Sequence, residues 1–176
     1  MQFTFDTLYD RKSLTALAKC IRKTTRKPKS KRSHIIGYIV TALLILQTVG
    51  SIANGGMAFK SVMLGTVAIF MIVILIFEDR INGYFASKSL IKGSEKNIVV
   101  FDTGNAETFT AESEVGKTEF PYDKIQAIAE TDAYFVFLIG DKHGQVYDKN
   151  GLVGGSVDEF REFIAQKTGK TIVKVK

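Results

Sequence analysis

The chain has 176 residues, 45% of them hydrophobic, with a formal charge of +6 and a single cysteine, Cys20. One cysteine excludes an internal disulfide, and with only two histidines a zinc site would need mostly carboxylates. The charge is unevenly spread: Arg11 to Phe77 holds eleven Lys and Arg and no Asp or Glu, whereas Glu95–Lys176 holds fourteen acids and ten bases. Such asymmetry points to a polyanion on the basic side, either nucleic acid or an anionic membrane surface.

Residues 1–33 open the chain. "QFTF" alternates and predicts a short strand, and Asp6 is placed to cap a following helix. In that helix Leu14, Leu17, Ala18 and Ile21 share one face, while Lys12, Lys19, Arg22, Lys23 and Arg26 cover much of the rest. A basic amphipathic helix next to a long apolar run is expected to lie on a membrane surface, held by anionic lipid at about 1 kcal/mol per near-surface charge. The expected surface contacts are Lys19, Arg22, Lys23, Arg26, Lys27, Lys29, Lys31 and Arg32, and lipid is preferred over nucleic acid because a basic run beside a span is an ordinary orientation signal. Cys20 reads as a small apolar residue, with palmitoylation as the alternative. Pro28 separates this helix from the first apolar run.

Residues 34–78 hold two apolar runs without charge, Ile35–Ala53 and Ser61–Phe77. Nineteen helical residues reach roughly 28 Å, close to the hydrocarbon thickness of a bilayer. Neither run has a polar face at helical spacing, and the basic stretch starts too far from Met1 for a signal peptide. The expectation is a transmembrane hairpin with spans at about 35–53 and 59–77. Ten Lys and Arg precede the first span and only Lys60 lies in the connection, which predicts a multi-pass protein of the cell membrane with both termini cytoplasmic and "NGGMAFK" outside. Equal depth in antiparallel neighbours pairs Gln47 with Gly65 and Thr66, and His34 with Phe77 and Glu78. Gln47 is expected to make an inter-helix hydrogen bond. As an isolated amide it supports a transport path only weakly.

Residues 79–94 read as a linker, a first strand or a continuation of the second span. From 95 to 176 the period changes. "NIVVFD", "ETFTAE", "KTEFPY", "IQAIAE", "YFVFLI" and "GQVYD" are short segments rich in β-branched and aromatic residues, separated by turn signals. They predict an antiparallel meander, with Phe135 and Phe137 in its core. A helix follows: Ser156 with Glu159 forms a capping box, Asp158 suits the first turn and Gly169 ends it. Phe160, Phe163 and Ile164, with Val157, form its apolar stripe, and Arg161, Glu162 and Gln166 are expected to face water. The predicted class is a two-helix membrane α-hairpin joined to an α+β cytoplasmic domain. That domain is a pleckstrin-homology-like antiparallel sheet or partial barrel closed by a C-terminal helix.

The stretch "YDKIQAIAETDAYFVFLIGDKHGQVYDKNGLVGGSVDEFREFIAQKTGKTI", 122–172, resembles the YcxB family of bacterial membrane proteins. The shared pattern is an aromatic before an Ile-rich strand, a Tyr/Phe-rich strand, and the "EFREFIAQKTGK" ending. Tyr122 stands where Trp is frequent and Leu152 where Phe is frequent. The order of short N-terminal segment, hairpin and C-terminal domain is similar too. The resemblance implies a fold and a membrane location but no reaction.

No catalytic constellation emerges. "KTGKT" follows a helix, whereas a phosphate loop precedes one. There is no nucleophile elbow, and Glu130, Asp132 and His143 read as solvated hairpin residues. The sequence therefore predicts a non-enzymatic membrane protein without cofactor or metal. Its cytoplasmic domain is expected to bind a protein, a peptide or lipid headgroups. Its expected partners are a bilayer with anionic headgroups and an unidentified protein but no nucleic acid, and a homo-oligomer is allowed. The alternative is a small transporter or channel subunit.

Overall fold

In the computed structural model the described residues are 2–55, 59–104, 107–140 and 143–176. The first strand, β1 (Gln2–Leu8), is longer than "QFTF" suggested. Phe3, Phe5 and Thr7 point inward and are buried, as a period of two requires. Asp6 is therefore inside a strand and caps nothing; it pairs with Lys96 at 2.9 Å. Helix α1 (Arg11–Lys23) is capped instead by Asp10, whose carboxylate accepts from the Ser13 amide while Ser13 Oγ accepts from the Asp10 amide.

Two long helices follow, α2 (Lys27–Gly55) and α3 (Phe59–Lys88), both long and apolar enough to cross a membrane. Pro28 sits in the first turn of α2, where its missing N–H has no helical partner to lose. The second helix runs eleven residues beyond the predicted span, so most of 79–94 continues the helix. The hairpin packs along one stripe of α2. A Cβ on Gly37 would meet Leu75 Cδ2 at 2.8 Å, Thr41 is buried, and one on Gly65 would meet Thr48 Cγ2 at 3.5 Å. Near the far end Ser61 Oγ donates to Ser51 Oγ at 2.7 Å. The tip residues 56–58 of "NGGMAFK" lie outside the described residues.

The β domain has two sheets. The strands are β2 (Lys96–Asp102), β3 (Thr108–Ser113), β4 (Gly116–Pro121), β5 (Ala127–Glu130), β6 (Tyr134–Leu138), β7 (Gly144–Asp148), β8 (Leu152–Val153) and β9 (Ile172–Lys174), with α4 (Val157–Thr168) before β9. One sheet has the order β4-β3-β2-β1-β8 and the other β7-β6-β5-β9. Strand β1 pairs antiparallel with β2 over its whole length, from Gln2 against Asp102 to Leu8 against Lys96. The opening strand thus lies inside the same sheet as strands beyond residue 95, and its two phenylalanines complete the core. The ending also differs from expectation. Beyond α4 the chain adds β9 parallel to β5, so the second sheet is mixed and the helix is not the last element.

The core is aromatic. Phe160 of α4 lies 4.6 Å from Phe5, 5.0 Å from Phe101 and 5.2 Å from Phe135, centroid to centroid. Phe135, Phe137, Phe160 and Ile164 are fully buried in this cluster, and Phe163 packs against it from a partly buried position. The α4 capping box forms as predicted, and Gly169 ends the helix in the left-handed conformation at φ 65°.

Helix α1 joins the two halves. Leu17, Cys20 and Ile21 pack on a second cluster formed by Ala129, Val136, Leu138, Val146 and Val175 of the β domain. Its apolar face is thus spent on protein and is not offered to lipid. Its other side meets α3 so closely that a Cβ on Gly83 would stand 2.7 Å from Thr15 Cα.

Candidate functional site

The basic residues picked out by the sequence converge at the foot of the hairpin. Arg22, near the end of α1, donates from Nε and Nη2 to the two carboxylate oxygens of Asp79, at 2.7 and 2.6 Å. Its charge is offset there, and it cannot serve as a free surface contact. Its neighbour Lys23 donates to the main-chain oxygen of Lys176 at 2.7 Å. The turn after α1 and the helical spacing of α2 then aim Lys27, Lys31 and His34 the same way. Arg22, Lys23, Lys27, Lys31, Lys174 and Lys176 line one cavity of about 390 Å³, together with Ser30 and His34, and no carboxylate side chain joins them.

A second cavity of about 260 Å³ shares Arg22 and Ser30 with the first and adds Arg26 and Lys29, with Glu78 and Asn82 on its far wall. Lys19 and Arg32 line neither. Lys174 and Lys176 were missed by sequence reading. Their signal was the alternation in "IVKVK", which puts both amines on one side of an extended segment.

The wall behind the cleft is a polar cluster. His34 Nε2 lies 3.3 Å from Glu78 Oε2, the depth match anticipated from the antiparallel hairpin. His34 Nδ1 is 3.0 Å from the Ser30 main-chain oxygen, and Arg22 Nε is 3.8 Å from Glu78 Oε2. Concentrated amines on one wall attract phosphate or carboxylate groups, and the paired residues behind them fix the backbone that carries them.

Gln47 does not take the predicted position. It is exposed, and the residue that meets Gly65 is Thr48. Thr66 is also exposed, with its hydroxyl donated to the Val62 carbonyl at 2.9 Å. The physical reason is the helical phase: the stripe through Gly37, Thr41, Thr48 and Ser51 faces α3, and Gln47 falls about 80–100° to its side.

The turn carboxylate Glu130 is likewise not solvated. It is 5% exposed, accepts from Lys149 Nζ at 2.7 Å, and takes Arg161 Nη2 at 2.8 Å and Nε at 3.1 Å. Arg161 and the other bonds to Glu130 hold its carboxyl down at about 2, against the opposing effect of burial. Arg161 also pairs with Asp158. Arg161 therefore turns toward the sheet while staying 31% exposed, and the group clamps α4 to the ends of β5 and β7. His143 is exposed, with its carbonyl accepting from Ile139. Asp141 and Lys142 of the same hairpin lie outside the described residues. Cys20 is fully buried and its thiol is pushed up to about 12 by burial, which leaves it unsuited to acylation in the folded chain.

No curated protein and no solved structure matches the chain. Residues 105–164, from the start of the β3 region into α4, match the family model described as YcxB-like protein. Over that stretch the chain is similar to YcxB-like proteins, as the motifs in 122–172 implied.

Proposed function

We propose that this is a bacterial cell-membrane protein in which α2 and α3 span the bilayer as a hairpin, both termini are cytoplasmic, and the basic cleft between the α1–α2 junction and residues 173–176 of the β domain holds anionic lipid headgroups. The two-sheet domain with its packed helix is pleckstrin-homology-like in this reading. The observation that carries it is the cleft itself, five lysines around one cavity with no acidic side chain in its lining, beside an Arg22 already paired with Asp79 and next to the start of the apolar run of α2. The outward apolar faces support the membrane part: the most apolar windows of the two helices are only 6% and 11% buried, whereas a soluble core helix is buried all round. The transport alternative is less well supported, because the hydroxyls of Thr41, Thr48 and Thr66 are spent on their own helices' carbonyls.

The test uses the full chain in nanodiscs of equal phosphatidylglycerol and phosphatidylcholine. Native mass spectrometry after partial delipidation should show phosphatidylglycerol retained in excess. A Lys27→Gln, Lys31→Gln, Lys174→Gln variant should lose that excess while keeping its melting temperature. Equal retention of both lipids by the wild type would sink the proposal.

A further inference from the structure

The polar side chains along the two apolar helices are almost all accounted for. Thr41 donates to Gly37 at 2.8 Å, Thr48 to Leu44 at 2.8 Å, Thr66 to Val62 at 2.9 Å, and Ser61 to Ser51 at 2.7 Å. Gln47 is different. It is exposed, and among the described residues its carboxamide has no hydrogen-bond partner. It lies three residues from the middle of the 35–53 run, so in a spanning helix it sits about 4.5 Å from the midplane. A carboxamide there has two donors and an acceptor with no water to meet them, which hydrocarbon penalises strongly.

The surroundings of Gln47 form a seam. Ile36, Val40, Leu43, Gln47 and Gly50 follow at spacings of four, three, four and three, the pattern of a left-handed helix pair. Ile36, Val40 and Leu43 are 53%, 41% and 60% exposed. Gly50 has nothing within 4 Å of where its Cβ would be, leaving room for another backbone to approach. The seam runs beside the α3 contact and not through it.

We propose that this seam is a dimerisation surface for a second copy of the same chain, with Gln47 paired to Gln47 of that copy across a two-fold axis. A carboxamide is self-complementary, so each side chain can give and take one hydrogen bond with an identical one. A two-fold axis brings a residue opposite itself without needing any other match. The proposal rests on the spanning reading of α2, since an exposed amide in water would need no partner.

Disulfide trapping in native membranes tests it. Leu43→Cys is introduced into the full chain, whose own Cys20 is buried, and dimer is scored after mild oxidation, alone and with Gln47→Asn or Gln47→Leu. The expected result is strong cross-linking with Gln47, retention with Asn, and a roughly three- to tenfold weaker self-association with Leu across a dilution series in lipid. Unchanged melting of the Leu variant in detergent would show that the monomer fold is intact. Cross-linking that is absent with Gln47, or identical with Gln47→Leu, overturns the dimer. Carbonate extraction of the same membranes separates this from the underlying reading: a chain released into the soluble fraction refutes the span itself, and the dimer with it.

Discussion

Arg22 and Asp79 form a two-pronged ion pair, 2.7 and 2.6 Å long, that ties α1 to α3 just beyond the apolar part of the hairpin. Their side chains are only 27% and 16% exposed, so solvent screens the pair weakly. Replacing either partner alone leaves a half-buried charge. Arg22→Ala and Asp79→Asn should each cost about 1–3 kcal/mol, and the double variant less than their sum. Chemical denaturation of the four proteins in detergent measures the coupling. Strict additivity would mean that the two residues do not act as a pair.

The same interface depends on Gly83, where only hydrogen leaves room for the Thr15 backbone. Gly83→Leu should push α1 off α3 and increase proteolysis in residues 24–26, the turn between α1 and α2. Gly50→Leu, which meets nothing within 4 Å in the monomer, should leave that cleavage unchanged. Limited trypsin digestion followed by mass spectrometry compares them.

Glu130 gives the domain a defined acid response. Its carboxyl ordinarily titrates near 4.5 and is held at about 2 in the fold. A depressed carboxyl contributes stability that is complete above its unfolded value and lost as pH falls toward its folded one. The loss therefore runs from about pH 5 down to about pH 2, and amounts to on the order of 3 kcal/mol. Arg161→Ala should cost about 1–3 kcal/mol at pH 7 and flatten that part of the pH profile, whereas Glu162→Ala should change little. Melting at pH 7, 4.5 and 3 is the measurement. A profile unaffected by Arg161→Ala would show that the clamp is not what responds.

The β domain should not fold from residues 95–176 alone, because β1 fills the place between β2 and β8. Circular dichroism of that fragment is expected to show no cooperative melt. Adding a peptide of residues 1–24 should restore one, and the same peptide with Phe5→Ala should not, since removing a fully buried Phe costs about 3–5 kcal/mol. Cooperative melting of the fragment without peptide would return the boundary to residue 95.

Orientation in the membrane is tested at two exposed described positions, Phe59 at the start of α3 and His143 between β6 and β7. With both termini cytoplasmic, Phe59→Cys should react with an impermeant maleimide in intact cells and His143→Cys only after lysis. The buried native Cys20 gives no background. The reverse pattern would invert the proposed topology.

Local signals along the chain determined the long apolar helices, six of the strands in 96–148, the capped helix α4 and its buried stripe. Each of these is written in a short window, as a run length, a period of two or 3.6, or a cap three residues from its partner. The depth match of His34 with Glu78 followed as well, because antiparallel helices joined by a short loop have little freedom of register. Tertiary structure alone decided the rest. A seven-residue strand at one end of the chain carries no mark of which strand it pairs with, so β1 entering the sheet beside β2 was not legible. Neither was the phase of α2: in a helix apolar on every side, the stripe that meets α3 is selected by small residues such as Gly37 and by the partner's shape, and Gln47 was left outside it. Glu130 and Arg161 stand 31 positions apart and each resembles a solvated residue. Only the packing of α4 against the end of β5 brings them within 2.8 Å and turns two apparent surface charges into a clamp on a buried carboxylate.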